Sequence, residues 1–163
     1  MTYRKIFGAC LVAAMVVAAA HAEDVRSYVG AGAQALFPQG SSRMRHAVGG
    51  AVNAGVYLSD FLAIEAEAAW LEKTCGLSAR ALGHFALWDE FDLLFGSEKF
   101  DPFFTIGASG WMRSGQVGPL AGLGALYYID DDWALRFDAT ATLGLDTRRE
   151  MVYSVTVGIQ RAF

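Results

Sequence analysis

The feature that most constrains this chain is an alternation of apolar and polar residues with a period of two. In the segment 133–143, one set of alternate residues is apolar throughout and most of the other set carries charges or hydroxyls. Because successive side chains of a β-strand point to opposite faces, this pattern predicts strands with one apolar and one polar face. Turn residues separate eight such segments, which cover residues 26–37, 47–58, 61–71, 77–88, 103–111, 119–129, 133–143 and 152–163.

Alternation alone fits two architectures. A water-soluble barrel turns its apolar face inward, as lipocalins do around a small apolar ligand, whereas a membrane barrel turns it toward lipid. Each segment has about the ten residues that a tilted membrane strand requires. The segments form one meander of hairpins, and in lipid every backbone amide needs an internal partner, so the meander must close. We therefore predict an all-β fold, an eight-stranded antiparallel up-and-down transmembrane β-barrel whose last strand pairs with the first.

Aromatic residues near the segment ends favour the membrane barrel, because such barrels carry an aromatic girdle at each interface. The prediction places Tyr57, Phe61, Trp88, Phe103, Tyr127, Trp133 and Phe163 at one rim, and Phe37, Trp70, Trp111 and Tyr153 at the other.

The N-terminus predicts export. Arg4 and Lys5 precede an apolar run at 6–20, and Ala20-His21-Ala22 is a small-x-small cleavage site. We expect residues 1–22 to be a signal peptide that is cleaved on export, and residues 23–163 to be the barrel domain.

The polar face of the predicted strands carries charges that would meet inside the barrel. The lumen of an eight-stranded barrel is just wide enough for side chains to fill, and buried charges there must pair. We predict a polar lumen network of Glu65, Glu67, Arg80, His84, Arg136 and Asp138. The paired charges favour a plug over an acid–base site.

The connectors at the two ends of the barrel differ in charge. With a periplasmic N-terminus, the connectors after the first, third, fifth and seventh strands face outward and are basic, while the others are acidic. Guanidinium and ammonium groups bind phosphate well, which predicts a rim that contacts lipopolysaccharide. The residues of this rim are Arg43, Arg45, Lys73, Arg113, Arg148 and Arg149.

With a signal, eight strands and a terminal aromatic, the chain resembles the small outer-membrane β-barrel family of the OmpA transmembrane-domain and OmpX kind. Thr156, Gly158 and Phe163 match the C-terminal assembly signal of that family, whereas Arg161 stands where a hydrophobic residue is usual. The resemblance implies an outer-membrane location and recognition by the β-barrel assembly machinery.

No motif predicts an enzyme, a cofactor or a nucleic-acid partner, and Asp130-Asp131-Asp132 lacks the ligand spacing of a calcium loop. We predict a monomeric, non-enzymatic protein with a structural or surface-interaction role, whose partners are outer-membrane lipid and lipopolysaccharide. Two alternatives stay open: a soluble lipocalin-like barrel, with Glu65, Glu67, Arg136 and Asp138 in water, and a lipid A-modifying barrel enzyme that uses His84.

Overall fold

The computed structural model describes residues 26–39, 45–72, 74–85, 99–112, 115–145 and 150–163. Within these ranges the chain forms the eight strands that the alternation predicts. They are β1 (Ser27–Pro38), β2 (Ala47–Ser59), β3 (Leu62–Leu71), β4 (Thr74–His84), β5 (Phe100–Trp111), β6 (Gln116–Tyr128), β7 (Trp133–Leu143) and β8 (Met151–Ala162). In the same ranges, no helix is long and apolar enough to cross a membrane.

Each strand pairs antiparallel with its neighbours in the chain, and β1 pairs with β8, so the sheet is a closed barrel. The pairing of β1 with β8 runs from Tyr28 opposite Ala162 to Pro38 opposite Val152. At the end of this seam the Phe163 amide donates a hydrogen bond to the Ser27 carbonyl oxygen at 2.8 Å. The predicted fold class, an eight-stranded antiparallel closed barrel, is confirmed.

The barrel has two ends. The terminal end holds Arg26 and Phe163, and the distal end holds the connectors from β1 to β2 and from β7 to β8. At the terminal end, the Asp130 carboxylate accepts hydrogen bonds from the Asp132 and Trp133 amides at 3.0 and 2.8 Å. An aspartate that bonds the backbone two or three residues on is a usual way to make a tight turn, and here it reverses the chain between β6 and β7.

The predicted and observed strand limits agree best at β7, which covers residues 133–143 in both. They differ most at β4, which was expected at 77–88 and instead spans Thr74–His84. The reason is the connection from β3, since Leu71 already pairs with Thr74 across two residues. The pairing of β4 with β3 therefore begins at Thr74, before the alternation of apolar and polar residues that predicts the strand from residue 77.

The apolar faces of the strands point outward and the charged faces point inward. Leu123 and Phe137 are 66% and 46% exposed on the outer surface, whereas Glu65 and Arg136 are 4% and 3% exposed inside. Exposed aliphatic side chains continue around the barrel, among them Ile64, Ile106, Leu135, Val155, Val157 and Ile159. This distribution contradicts the soluble lipocalin-like alternative, which required the charges to face water.

Two apolar clusters lie in the lumen, one on each side of its polar centre. The terminal cluster contains Tyr28, Ala63, Leu82, Phe103, Leu126 and Ala134, and the distal cluster contains Leu36, Ala47, Ala51, Ala69, Leu71, Trp111 and Val152. Glycines make room for the largest of these side chains. A Cβ atom at Gly55 would overlap the Tyr28 ring, and one at Gly124 would overlap the Phe103 ring.

The aromatic girdles are smaller than predicted. Phe103 and Trp111 are buried, and Tyr57 packs against the terminal cluster, so these three face the lumen and do not belong to a girdle. Their strand parity is the reason: Phe103 shares a face with Thr105, and Trp111 shares a face with Ser109, and both of these polar residues are buried. Phe37, Phe61, Tyr127, Trp133, Tyr153 and Phe163 are exposed, Trp70 is partly exposed on the outer face, and Trp88 lies outside the described residues.

Candidate functional site

The centre of the lumen holds five charged side chains, here called the charged layer: Glu65, Glu67, Arg80, Arg136 and Asp138. Glu65 and Arg80 are directly opposite each other on β3 and β4, whereas Arg136 and Asp138 come from β7. In a ring of eight strands, β3 and β7 lie diametrically opposite each other. The layer therefore joins the two sides of the barrel across its full width.

Arg136 makes the longest connection. Its two terminal nitrogens bind the two carboxylate oxygens of Glu65, with Nη2 to Oε1 at 3.1 Å, in a bidentate arrangement. Its Nε donates to Asp138 Oδ2 at 3.1 Å, and Nη1 donates to Gln160 Oε1 at 3.1 Å. The guanidinium also lies 5.2 Å from the centre of the Phe103 ring. A planar guanidinium is suited to binding several acceptors at once, because its five N–H donors point in fixed directions.

Arg80 binds the same carboxylates from the other side. Its Nε lies 2.8 Å from Glu65 Oε1, an ion pair without hydrogen-bond geometry, and its Nη2 binds Glu67. Its Nη1 is 3.5 Å from Asp138 Oδ1. Glu65 and Asp138 are thus each shared by both arginines, which makes the layer one network and not a set of separate pairs.

Neutral side chains complete the coordination of the two glutamates. Tyr28 and Asn53 donate to Glu65 Oε2 at 2.9 and 2.7 Å. Gln34 Nε2 lies 3.2 Å from both Glu67 Oε1 and Thr156 Oγ1. Buried charges are tolerated when they are paired and their remaining lone pairs are bonded, and Glu65 meets both conditions.

The charged layer has three carboxylates and two guanidiniums, a formal charge of −1. Every carboxylate in it contacts a guanidinium, as buried charges require. The charged layer also lies between the two apolar clusters, which fill part of the lumen on either side of it. The arrangement suits a plug.

His84 does not join the charged layer. Its Nδ1 lies 2.8 Å from Asp101 Oδ2 at the terminal end, and Tyr128 donates to the same oxygen at 3.3 Å. The His84 side chain is buried inside the barrel, between the rings of Tyr57 and Phe103. A side chain in this position does not face the lipid, which weighs against its use in an enzyme that acts on membrane-embedded lipid A.

On the distal side of the charged layer, the lumen is lined by hydroxyl groups. We call this the hydroxyl layer: Ser109, Thr140, Thr142 and Ser154. The Ser109 and Thr142 hydroxyl oxygens are 2.8 Å apart, and those of Thr140 and Ser154 are 2.7 Å apart. Nearer the distal end, Gln116 Nε2 donates to Glu150 Oε2 at 3.0 Å.

Of the predicted lipopolysaccharide rim, the structure describes Arg45 alone, and it is exposed at the distal end. The other five residues, Arg43, Lys73, Arg113, Arg148 and Arg149, lie outside the described residues, as does the predicted signal peptide at 1–22. In the predicted assembly signal, Thr156 is buried and bonded to Gln34, Gly158 lies directly opposite Gly32, and Phe163 is exposed.

The sequence prediction missed Asp101, the partner of His84. The predicted fifth strand covers residues 103–111, which leaves Asp101 in the connector before it. The strand instead begins at Phe100. A signal was present, since Asp101 is in phase with Phe103 and Thr105, whose side chains face the lumen.

No protein-family model matches the chain, and no curated protein matches it. Solved structures do match. The outer membrane protein OprG of Pseudomonas aeruginosa is similar over 85% of this chain and 96% of its own, with a TM-score of 0.63 and 9% sequence identity. Ail, the attachment invasion locus protein of Yersinia pestis, is similar over 85% of this chain and 99% of its own, with a TM-score of 0.61 and 10% identity.

A de novo designed transmembrane β-barrel is similar over 85% of this chain and 95% of its own, with a TM-score of 0.58 and 15% identity. These likenesses show that the chain has the fold of small transmembrane barrels, which confirms the predicted resemblance at the level of the fold. At such identities they carry no residue roles, and a designed barrel among them shows that this fold can exist without a natural function.

Proposed function

We propose that the mature chain is a non-enzymatic outer-membrane β-barrel with a plugged lumen and a structural or surface-interaction role. One observation carries the proposal: the barrel exposes large aliphatic and aromatic side chains on its outer surface and buries the charged layer inside. Such a surface is costly in water and favourable in lipid, because in lipid the apolar side chains meet acyl chains. The likeness to OprG and Ail supports an outer-membrane location for a chain with a predicted export signal.

The lumen network supports the plugged barrel. The charged layer spans the barrel from β3 to β7, and the terminal and distal clusters lie on either side of it. We expect no stepwise conductance when the purified barrel is reconstituted in planar bilayers. Steady ion currents through single barrels would contradict the plug while leaving the membrane location intact.

For the distal end we propose contact with lipopolysaccharide through Arg43, Arg45, Lys73, Arg113, Arg148 and Arg149. The exposure of Arg45 supports this, as does the excess of basic residues over acidic ones in the distal connectors. Replacing all six residues with glutamine should weaken lipopolysaccharide binding, and Arg26→Gln at the opposite end is the matched control. Equal binding by the sixfold variant and the wild type would contradict the rim.

For biogenesis we propose recognition by the β-barrel assembly machinery through Thr156, Gly158 and Phe163. The exposure of Phe163 at the free end of β8 supports this. Phe163→Ala should reduce the folded protein in cells while leaving refolding from urea into detergent unchanged, because only the cellular route uses the machinery. A loss of refolding in detergent would instead assign Phe163 to stability.

The main test combines cell fractionation with heat modifiability on a gel. A folded membrane barrel resists SDS until it is boiled, so the unboiled protein from the outer-membrane fraction should migrate differently from the boiled protein. Recovery of the folded protein in the soluble periplasm would overturn the proposal.

A further inference from the structure

Arg161 is an arginine on the outer surface of the barrel, outside the ion-pair network of the lumen. Arg161 lies near the end of β8 and is exposed on the same face as Val155, Val157 and Ile159, which point away from the lumen. Among the described residues it forms no ion pair with any carboxylate. The described residues thus supply no anionic acceptor, and a guanidinium on the lipid side of a membrane barrel is costly unless it finds one.

Two aromatic rings hold this guanidinium in place. Trp133 is the direct partner of Arg161 on β7, and Phe163 follows two residues later on the same face of the chain. The Arg161 Cζ atom lies 5.4 Å from the centre of the Trp133 ring and 5.2 Å from that of Phe163. Both distances are within the range of cation–π contacts.

The contact with the rings leaves the hydrogen-bonding capacity of Arg161 unused. In a cation–π contact the guanidinium is attracted to the face of a ring. The ring does not accept the N–H bonds that lie in the guanidinium plane, so these donors stay available. A planar fork of donors matches the oxygens of a phosphate or carboxylate. At the level of exposed Trp and Phe side chains, where membrane barrels meet the lipid headgroups, the abundant acceptor of this kind is phosphate.

Among the described residues, the acidic side chains of the turn between β6 and β7 do not supply the missing partner. Asp130 bonds the backbone of its own turn. Asp132 contributes its carbonyl oxygen to the Ala162 amide at 2.8 Å, and its carboxylate makes no ion pair within the described ranges. The turn thus places Trp133 beside Arg161 without neutralising the guanidinium.

We propose that Arg161, clamped between Trp133 and Phe163, binds the phosphate of a phospholipid headgroup at the terminal end of the barrel. This rests on the proposed membrane location. It also gives a reason for an arginine at a position where a hydrophobic residue is usual in the assembly signal: the residue anchors the finished barrel at one depth in the bilayer.

The test measures lipid binding to refolded protein, which avoids any effect on cellular assembly. Wild type, Arg161→Gln, Arg161→Lys and the control Arg26→Gln are refolded from urea into detergent, and folding is verified by the gel shift. Native mass spectrometry then gives the affinity for phosphatidylethanolamine and for diacylglycerol with the same acyl chains, which lacks the phosphate.

Arg161→Gln should weaken phosphatidylethanolamine binding about tenfold, the effect of losing one charge-assisted hydrogen-bonded contact. The phosphatidylethanolamine affinity of Arg161→Lys should lie between those of Arg161→Gln and wild type, because lysine keeps the charge but loses the planar fork of donors. Trp133→Leu should weaken binding about threefold through loss of one ring contact. Diacylglycerol binding and the Arg26→Gln control should be unchanged.

Three results would overturn the proposal: wild-type phosphatidylethanolamine affinity in Arg161→Gln, an equal loss of diacylglycerol affinity, or full displacement of the lipid by millimolar inorganic phosphate. The last would identify free phosphate as the ligand. If the protein fractionates with the outer membrane and gives any of these results, the phospholipid site is refuted and the outer-membrane barrel is not. Recovery in the soluble periplasm refutes both the membrane location and the phospholipid site.

Discussion

The charged layer and the hydroxyl layer lie next to each other in one lumen, yet they connect different parts of the barrel. Asp138 and Thr140 are two residues apart on β7, on the same inward face. The guanidinium of Arg136 reaches β3 on the far side, whereas the hydroxyl of Thr140 reaches only Ser154 on the adjacent β8. The long side chain of Arg136 therefore couples strands on opposite sides of the barrel, whereas the short hydroxyl side chains couple strands that are at most two apart in the sheet.

The two layers also differ in how the rest of the lumen is filled. Around the charged layer, long polar side chains such as Gln34 and Gln160 occupy the space. Beside the hydroxyl layer, the remaining volume is taken by apolar side chains, including Leu36, Leu71 and Trp111. We expect the charged layer to be intolerant of single changes and the hydroxyl layer to be tolerant.

The largest effect is expected for Arg136→Leu. It leaves Glu65 and Asp138 buried with Arg80 as their only cation, and breaking one partner of a buried ion pair costs about 3–5 kcal/mol. The measurement is the free energy of unfolding in urea in lipid vesicles, with Arg45→Leu on the exposed surface as the control. A wild-type unfolding curve for Arg136→Leu would show that the charged layer does not stabilise the barrel.

A second variant tests whether the loss comes from an uncompensated charge. Adding Asp138→Leu to Arg136→Leu removes one charge of each sign, so the formal charge of the layer returns to −1. Directly contacting residues couple by about 0.5–3 kcal/mol, and we expect the double variant to be more stable by this amount than the sum of the single variants predicts. Additive losses would argue against a coupled network.

In the hydroxyl layer we expect a smaller loss. Thr142→Val removes one hydroxyl of nearly equal shape and leaves Ser109 without its partner, which costs about 1–3 kcal/mol. Ser109→Ala combined with Thr142→Val removes both partners and should cost less than the single Thr142→Val change. A loss as large as that of Arg136→Leu would erase the distinction between the two layers.

The smallest effect is expected for His84→Asn at the terminal end, where Asp101 keeps the hydrogen bond from Tyr128. Because His84 faces the lumen, the acylation of lipid A in cells that carry this variant should match that of wild-type cells. Lipid A mass spectrometry is the measurement. A difference in acylation that follows His84→Asn would revive the enzymatic alternative.

The sequence predicts the barrel well because its strands alternate, and it predicts β7 best because three aspartates and a glycine bound an unbroken alternation. It also predicts which charges face inward, since parity alone decides that for Glu65 or Arg136. It does not predict which charges meet. The contact between these two residues, 71 positions apart, depends on the number of strands and on the register of every pair between them.

The same reasoning explains the misplaced aromatics. Tyr57, Phe103 and Trp111 are at or near strand ends, where the expectation of a girdle outweighed the parity of the strand. The parity was the better guide, because lumen space next to Gly55 and Gly124 admits large rings such as those of Tyr28 and Phe103. The glycines opposite large side chains are the part of the pattern that sequence reasoning did not use.

The bidentate contact of Arg136 with Glu65 lies along a diameter of the barrel. A cylinder under lateral pressure from a bilayer deforms most easily by flattening to an ellipse, and a rigid rod across its diameter opposes that deformation along one axis. We therefore expect the barrel to resist flattening more strongly along the direction from β3 to β7, which Arg136 and Glu65 span, than at right angles to it, from β1 to β5.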